Sequence, residues 1–192
     1  MKTNHDCVAC IIRQALDAVR QITDDEQIIE RVLRSALRTA AEIDYDQTPV
    51  EIGRLIHRKI REETGNPDPY LAIKNKANKA AKGLMPFIKK KVKWSQCPFA
   101  TAVRYAIAGN ILDFALYTGW DNTKFKQSMG IAETKEIDIM QLHELDSKVK
   151  KAKSILLIGD NAGEIVFDRL LLEEMDCAKV VYAVRGGPVQ ND

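Results

Sequence analysis

No apolar run in this 192-residue sequence reaches the roughly 20 residues that a membrane-spanning helix needs. Met1 to Asp17 holds no long apolar stretch of the kind a secretory signal uses, so a cytoplasmic location with no membrane partner is expected. Cysteine is scarce: of Cys7, Cys10, Cys97 and Cys177, only the first two are close in sequence. Without a secretory signal a disulfide scaffold is the poorer reading. Cys7 and Cys10 stand one helical turn apart and could hold a soft metal with Cys97 or His5, but a second Cys-x-x-Cys pair is absent. Packing of two small apolar thiols in a helix is the plainer expectation. His57 and His143 fall on helical patterns with no partner nearby in sequence, and are read as surface or packed residues.

What remains is 45% hydrophobic and 29% charged, rich in Lys, Glu, Leu and Ala, which suits a soluble and mostly helical globular protein. A chain of this length can bury roughly 70% of the surface its unfolded form exposes, so it needs no staples. Net charge is only +2, yet Lys74 to Lys93 holds eight lysines and no acid. That local excess invites anions.

The first two thirds read as helices. Apolar residues recur at a helical period over Cys7 to Ile22 and over Asp24 to Ile43. Thr48-Pro49-Val50-Glu51 is a capping box with proline at the first helical position, and Gly65 ends the helix it starts. A two-proline turn follows at Asn66 to Pro69, then helical spacing over Tyr70 to Leu84, with Pro86 expected to break or kink what comes next. Pro98 to Tyr117 is the most apolar helix, Thr118 to Glu136 reads as a connection, and Ile137 to Lys151 as one more helix. At Ser154 the pattern changes. Ile155-Leu156-Leu157-Ile158 and Val180 to Val184 read as strands buried on both faces, with a helix over Ile165 to Met175 between them. This is a βαβ unit with parallel strands and a right-handed crossover. Two strands do not make a stable sheet. The expected fold is therefore α+β in two domains: an all-α helical domain over residues 1–136 and, over 137–192, the start of a Rossmann-like α/β domain that further strands would complete.

Ligands of open parallel sheets bind beyond the carboxyl ends of the strands, where Asp160-Asn161 and Asn191-Asp192 both fall. Two carboxylates about 4 Å apart repel by about 4 kcal/mol at an effective dielectric of about 20. A divalent cation shared by Asp160, Asn161 and Asp192 removes that cost, and this hard oxygen set suits Mg²⁺ or Mn²⁺. The helix starting near Gly163 adds amino-terminal amides for an anion, and Arg185 with Gly186 and Gly187 adds a charged donor and close backbone amides. The parts match metal-assisted phosphoryl transfer to water. An Asp-Asn pair before glycine is also a common turn and helix cap. A dinucleotide loop is the weaker reading, since Gly159 and Gly163 do not make Gly-x-Gly-x-x-Gly and Arg185 stands where an acidic ribose ligand would be expected.

Five segments occur in one order: Cys7-Val8-Ala9-Cys10 with Arg13 to Leu16; Asp68-Pro69-Tyr70 with Lys74, Lys76, Ala77 and Asn78; Ala106 to Phe114; Gly159 to Glu164; and Arg185 to Asp192. In these the chain resembles the damage-control phosphatases, a family first catalogued as domain of unknown function 89, and most of all its shorter prokaryotic branch. The resemblance spans essentially the whole chain. It implies a helical domain beside a Rossmann-like domain, a divalent metal on Asp160, Asn161 and Asp192, and hydrolysis of small phosphorylated metabolites such as sugar phosphates. It further implies supporting roles near metal or substrate for Asn110 and Asp113, a water-orienting role for Glu164, and a reach toward substrate phosphate for Lys74 and Lys76. Co²⁺ and Ni²⁺ join Mg²⁺ and Mn²⁺ as candidate cofactors.

Members of that family continue past the final Asn-Asp with strands and helices that complete the sheet. Residues 1–192 alone are therefore expected to turn over little substrate, with the sheet completed by a further carboxy-terminal segment or by a second copy. Two other functions compete. The Lys74 to Lys93 segment could track a nucleic-acid backbone, although only Phe87 and Trp94 interleave with its lysines and nucleic acid is the less favoured partner. An open sheet edge could instead make the chain a non-catalytic interaction module.

Overall fold

A computed structural model of the chain describes residues 2–110, 130, 134, 136–176 and 179–187. Seven helices and two strands are found among the described residues: α1 His5–Arg20, α2 Glu26–Ala41, α3 Pro49–Thr64, α4 Leu71–Lys93, α5 Pro98–Asn110, α6 Ile139–Lys151, β1 Ile155–Ile158, α7 Glu164–Glu173 and β2 Val180–Ala183. The fold is α+β, mostly helical with a small parallel sheet. Among the described residues no helix is long and apolar enough to cross a membrane. They cluster into two compact units that divide between Ala72 and Ile73.

In the first unit α1, α2 and α3 pack on one another through Ile11, Ala15, Val19, Ile29, Val32, Ile52, Ile56 and Ile60. Local chemistry fixes where each helix starts. Asn4 accepts the His5 amide, and Asp25 accepts that of Gln27. The capping box at α3 is complete, because the Thr48 hydroxyl accepts the Glu51 amide while the Glu51 carboxylate accepts that of Thr48. Gly65 closes α3 at φ +67°, a left-handed conformation that glycine adopts without a Cβ penalty. Cys7 packs against this core, but Cys10 is exposed rather than buried, and its sulfur accepts from the Gln14 side-chain Nε2. His57, read as lacking a partner, meets the Tyr70 ring edge-on at 5.7 Å.

The second unit runs from Ile73 and joins most of α4 with α5 and α6 to the β1–α7–β2 segment. Its core is built on Ile88, Val92, Phe99, Val103, Phe167 and Leu170, and α5 lies along α7. Pro86 does not end α4, which continues to Lys93. Proline removes one helical hydrogen bond. The stripe Ala77, Ala81, Ile88 and Val92 stays buried along the whole helix and holds the two halves in register.

The strands pair in parallel as expected, Ile155 opposite Val180 and Leu157 opposite Tyr182. The expectation of burial on both faces does not hold. Ile155 packs against the core, whereas Leu156 and Ile158 are 62% and 73% exposed, and Val181 is exposed as well. An unbroken apolar run marks a strand, but successive side chains point to opposite faces, and only tertiary packing decides how many faces are covered.

Candidate functional site

The loop Gly159 to Gly163 joins β1 to α7 and gathers the second unit's polar residues. Gly163 takes φ +90°, a conformation that a side chain strongly disfavours, and a Cβ there would stand 3.4 Å from that of Ala77 on α4. Its amide donates to Asn78 Oδ1 at 2.7 Å, so α4 supplies the capping group that the loop itself lacks. From α5, Gly109 lies so close to α7 that a Cβ there would sit 2.8 Å from Phe167 Cδ2 and 3.3 Å from the Glu164 Cα. That close approach carries the next residue, Asn110, to Glu164.

Glu164 is 7% exposed and accepts from three donors: Asn110 Nδ2 at 2.9 Å on Oε1, and the Asn161 amide at 3.1 Å and Asn161 Nδ2 at 3.2 Å on Oε2. Asn161 Nδ2 also faces Asp160 Oδ2 at 3.4 Å. Ionised carboxylates only accept hydrogen bonds, so two of them fix the amide orientation of Asn161 with its nitrogen toward them. Its carbonyl oxygen, Oδ1, is then buried and has no hydrogen-bond partner among the described residues. Leaving such an oxygen unpaired costs about 1–3 kcal/mol. A cation offers that oxygen what a missing donor would. With the Asp160 carboxylate beside it, the donor set is hard and oxygen-only, and fits Mg²⁺ or Mn²⁺.

Arg185, just past β2, donates from its guanidinium to Asp160 Oδ1 at 2.6 Å, an ion pair that is half exposed on both sides. Behind the loop, the Tyr182 hydroxyl donates to Asp168 Oδ2 at 2.5 Å. Burial pushes the Asp168 acid up to about 6, against the pull of the Tyr182 hydrogen bond, and the Glu164 charge pushes in the same direction as burial. Burial, followed by the Asp168 hydrogen bond, drives the Tyr182 phenol upward as well.

A family profile for the damage-control phosphatase ARMT1-like domain matches residues 3–192. The chain belongs to this family. It is 36% identical over 201 residues to an uncharacterized protein of Methanocaldococcus jannaschii, covering all of this chain and 65% of that protein. Proteins named damage-control phosphatase from Archaeoglobus fulgidus and Pyrococcus horikoshii are 30% and 32% identical, each alignment covering this whole chain and 67% of the relative. The crystal structure of a domain-of-unknown-function-89 family protein from Pyrococcus horikoshii matches with a TM-score of 0.83 at 31% identity, over 100% of this chain and 67% of that one. The chain thus spans about two thirds of the length of the relatives it matches.

Of the residues singled out from sequence, this ARMT1-like domain brings Asp160, Asn161, Glu164, Asn110 and Arg185 together around one loop. Lys74 is buried and Lys76 exposed on α4, consistent with positions two apart pointing to different sides of a helix. Asp113, Asn191 and Asp192 lie outside the described residues. Among the described residues no three His, Cys, Asp or Glu side chains converge as a metal cluster, so Cys7 and Cys10 gain no further ligand there. Of the other lysines, Lys89 pairs with Glu173 and Lys91 lies over the Phe87 ring at 4.7 Å. Sequence reasoning passed over Asn78, Asp168 and Tyr182 as site residues. An acid next to Arg169 within the mostly apolar Ile165 to Leu172 run and a tyrosine inside a strand were the available signals, since each needs a polar partner when buried.

Proposed function

We propose that this chain carries the metal-holding residues of a phosphatase that hydrolyses small phosphorylated metabolites, of the sugar phosphate or related phosphomonoester class. The buried carbonyl oxygen of Asn161, without a hydrogen-bond partner among the described residues and beside the Asp160 carboxylate, carries the reading. The names of two relatives support it. Asp160, Asn161 and Asp192 would hold the cation, with Mg²⁺ or Mn²⁺ favoured and Co²⁺ or Ni²⁺ acceptable. When bound, such a cation would polarise the phosphoryl group and lower the pKa of a neighbouring water.

The remaining roles belong to the chain. Glu164 anchors Asn161, and among the described residues three of its roughly four lone-pair sites are taken, so Oε1 has room to orient the attacking water. Arg185 neutralises Asp160 while no cation is bound, and turns to the substrate phosphate when one is. In this reading Asn110, Asp113, Asn191, Lys74 and Lys76 are assigned to substrate binding. We place the enzyme in the cytoplasm, with residues 1–136 as the helical domain and 137–192 within a Rossmann-like domain. Exposed Leu156 and Ile158 share one face of β1, and a helix packed on that face, from elsewhere in the protein or from a second copy, would cover them.

The test is phosphate release from a panel of sugar phosphates, by the chain alone and extended to the length of its relatives, with and without added Mn²⁺. Release that depends on the metal and drops on the order of 100-fold in Asp160→Asn and in Asp192→Asn, with far-UV circular dichroism unchanged, supports the proposal. Equal release in excess chelator, or undiminished release in both variants, overturns it.

A further inference from the structure

The loop that carries Asp160 and Asn161 is bounded by a second set of contacts, none made by the candidate ligands themselves. Its first residue, Gly159, donates its amide to Ala183 on β2. A Cβ at Gly159 would fall 2.6 Å from Cζ of Tyr182, so the phenol ring lies directly against the backbone that leads into Asp160. The same phenol reaches α7 through its hydrogen bond to Asp168. Asp168 is one helical turn beyond Glu164, and both carboxylates are buried, at 5% and 7% exposure. Contacts therefore close a ring: Asn161 to Glu164, along α7 to Asp168, across to Tyr182, and back to Gly159.

This arrangement is a poor way to gain stability alone. A buried carboxylate one turn from another is disfavoured by desolvation and by repulsion, and replacing both members of a buried polar pair with apolar groups is often neutral or stabilising. What the pair supplies is a fixed distance and orientation. The β1 ladder fixes the register of β2, and the directional Tyr182–Asp168 hydrogen bond adds a direct tie from β2 to α7.

We propose that Tyr182 and Asp168 are positioning residues for the metal-holding loop: their hydrogen bond ties β2 to α7 and so sets where Asp160, entering from Gly159, lies relative to Asn161, held by Glu164. The inference rests on the metal-site reading above. Polar partners standing behind metal ligands typically change metal affinity by about 10–100-fold when removed.

The experiment titrates Mn²⁺ into the full chain and follows the free ion by electron paramagnetic resonance, in the wild type, Asp160→Asn, Tyr182→Phe, Asp168→Leu and the double variant Tyr182→Phe/Asp168→Leu, each checked for folding by thermal melt. Tyr182→Phe keeps the ring and should bind Mn²⁺ roughly tenfold or more weakly. The double variant leaves no orphaned polar group, so its melting temperature should recover toward the wild type while its Mn²⁺ affinity stays low. A purely structural pair would recover both together, and wild-type Mn²⁺ affinity in the double variant or in Tyr182→Phe overturns the inference. Absence of Mn²⁺ binding by the wild type, or full binding by Asp160→Asn, overturns the metal-site reading itself and the inference with it. The two failures are thus told apart by which variants lose the ion.

Discussion

Asn110, at the end of α5, donates to Glu164, in the first turn of α7, across 2.9 Å and 54 positions of sequence. The contact exists because Gly109 lets the two helices approach closely. Gly109→Ala must push α5 away from Phe167 and from the α7 backbone, at a cost of about 1–3 kcal/mol. Asn110→Ala leaves the packing intact but strips a donor from a buried carboxylate, for about 1.5–3 kcal/mol. Thermal melts of both variants check these losses, and either variant as stable as the wild type would contradict the role given to the contact.

Gly163→Ala is expected to cost about 1–3 kcal/mol, because φ +90° is closed to a residue with a Cβ. The loop would relax by turning its amide away from Asn78. Asn78→Ala removes the acceptor without the strain and should cost less. A Gly163→Ala protein as stable as the wild type would show that the loop does not need this conformation.

Asp168 gives a pH dependence of defined sign. Its acid is raised from the ordinary 3.8 to about 6 in the folded chain, chiefly by burial. At neutral pH the ionised form destabilises the fold relative to the unfolded chain, and that penalty lifts as pH falls through about 6 toward 3.8, because the folded state then binds the proton first. Asp168→Asn lacks this gain. The melting temperature of the wild type minus that of Asp168→Asn should therefore be larger at pH 5 than at pH 7.5. A difference that shrinks on acidification would contradict the assignment.

Much of the fold was legible because its signals are local. The capping box at Thr48 and Glu51, the glycine stop at Gly65 and the change of period at Ser154 each follow from a few neighbouring residues. The candidate loop was legible for the same reason, as Asp160, Asn161 and Glu164 stand together in sequence. Three features were not. Continuation of α4 through Pro86 depends on Ile88 and Val92 packing against residues far along the chain. The exposed face of β1 depends on what covers it, which an apolar run does not encode. The Tyr182–Asp168 pair joins a strand to a helix 14 positions away, and no periodicity marks two polar groups that find each other across elements.

Asp160 and Asn161, with Asp192, are proposed to grip one hard cation. Anomalous scattering from crystals soaked in Mn²⁺ tests it without reference to turnover. A single strong peak is expected within bonding distance of an Asp160 carboxylate oxygen, Asn161 Oδ1 and an Asp192 carboxylate oxygen. Manganese bound elsewhere, or Asp160 still paired with Arg185 and the Asn161 oxygen still bare at saturating metal, would contradict it.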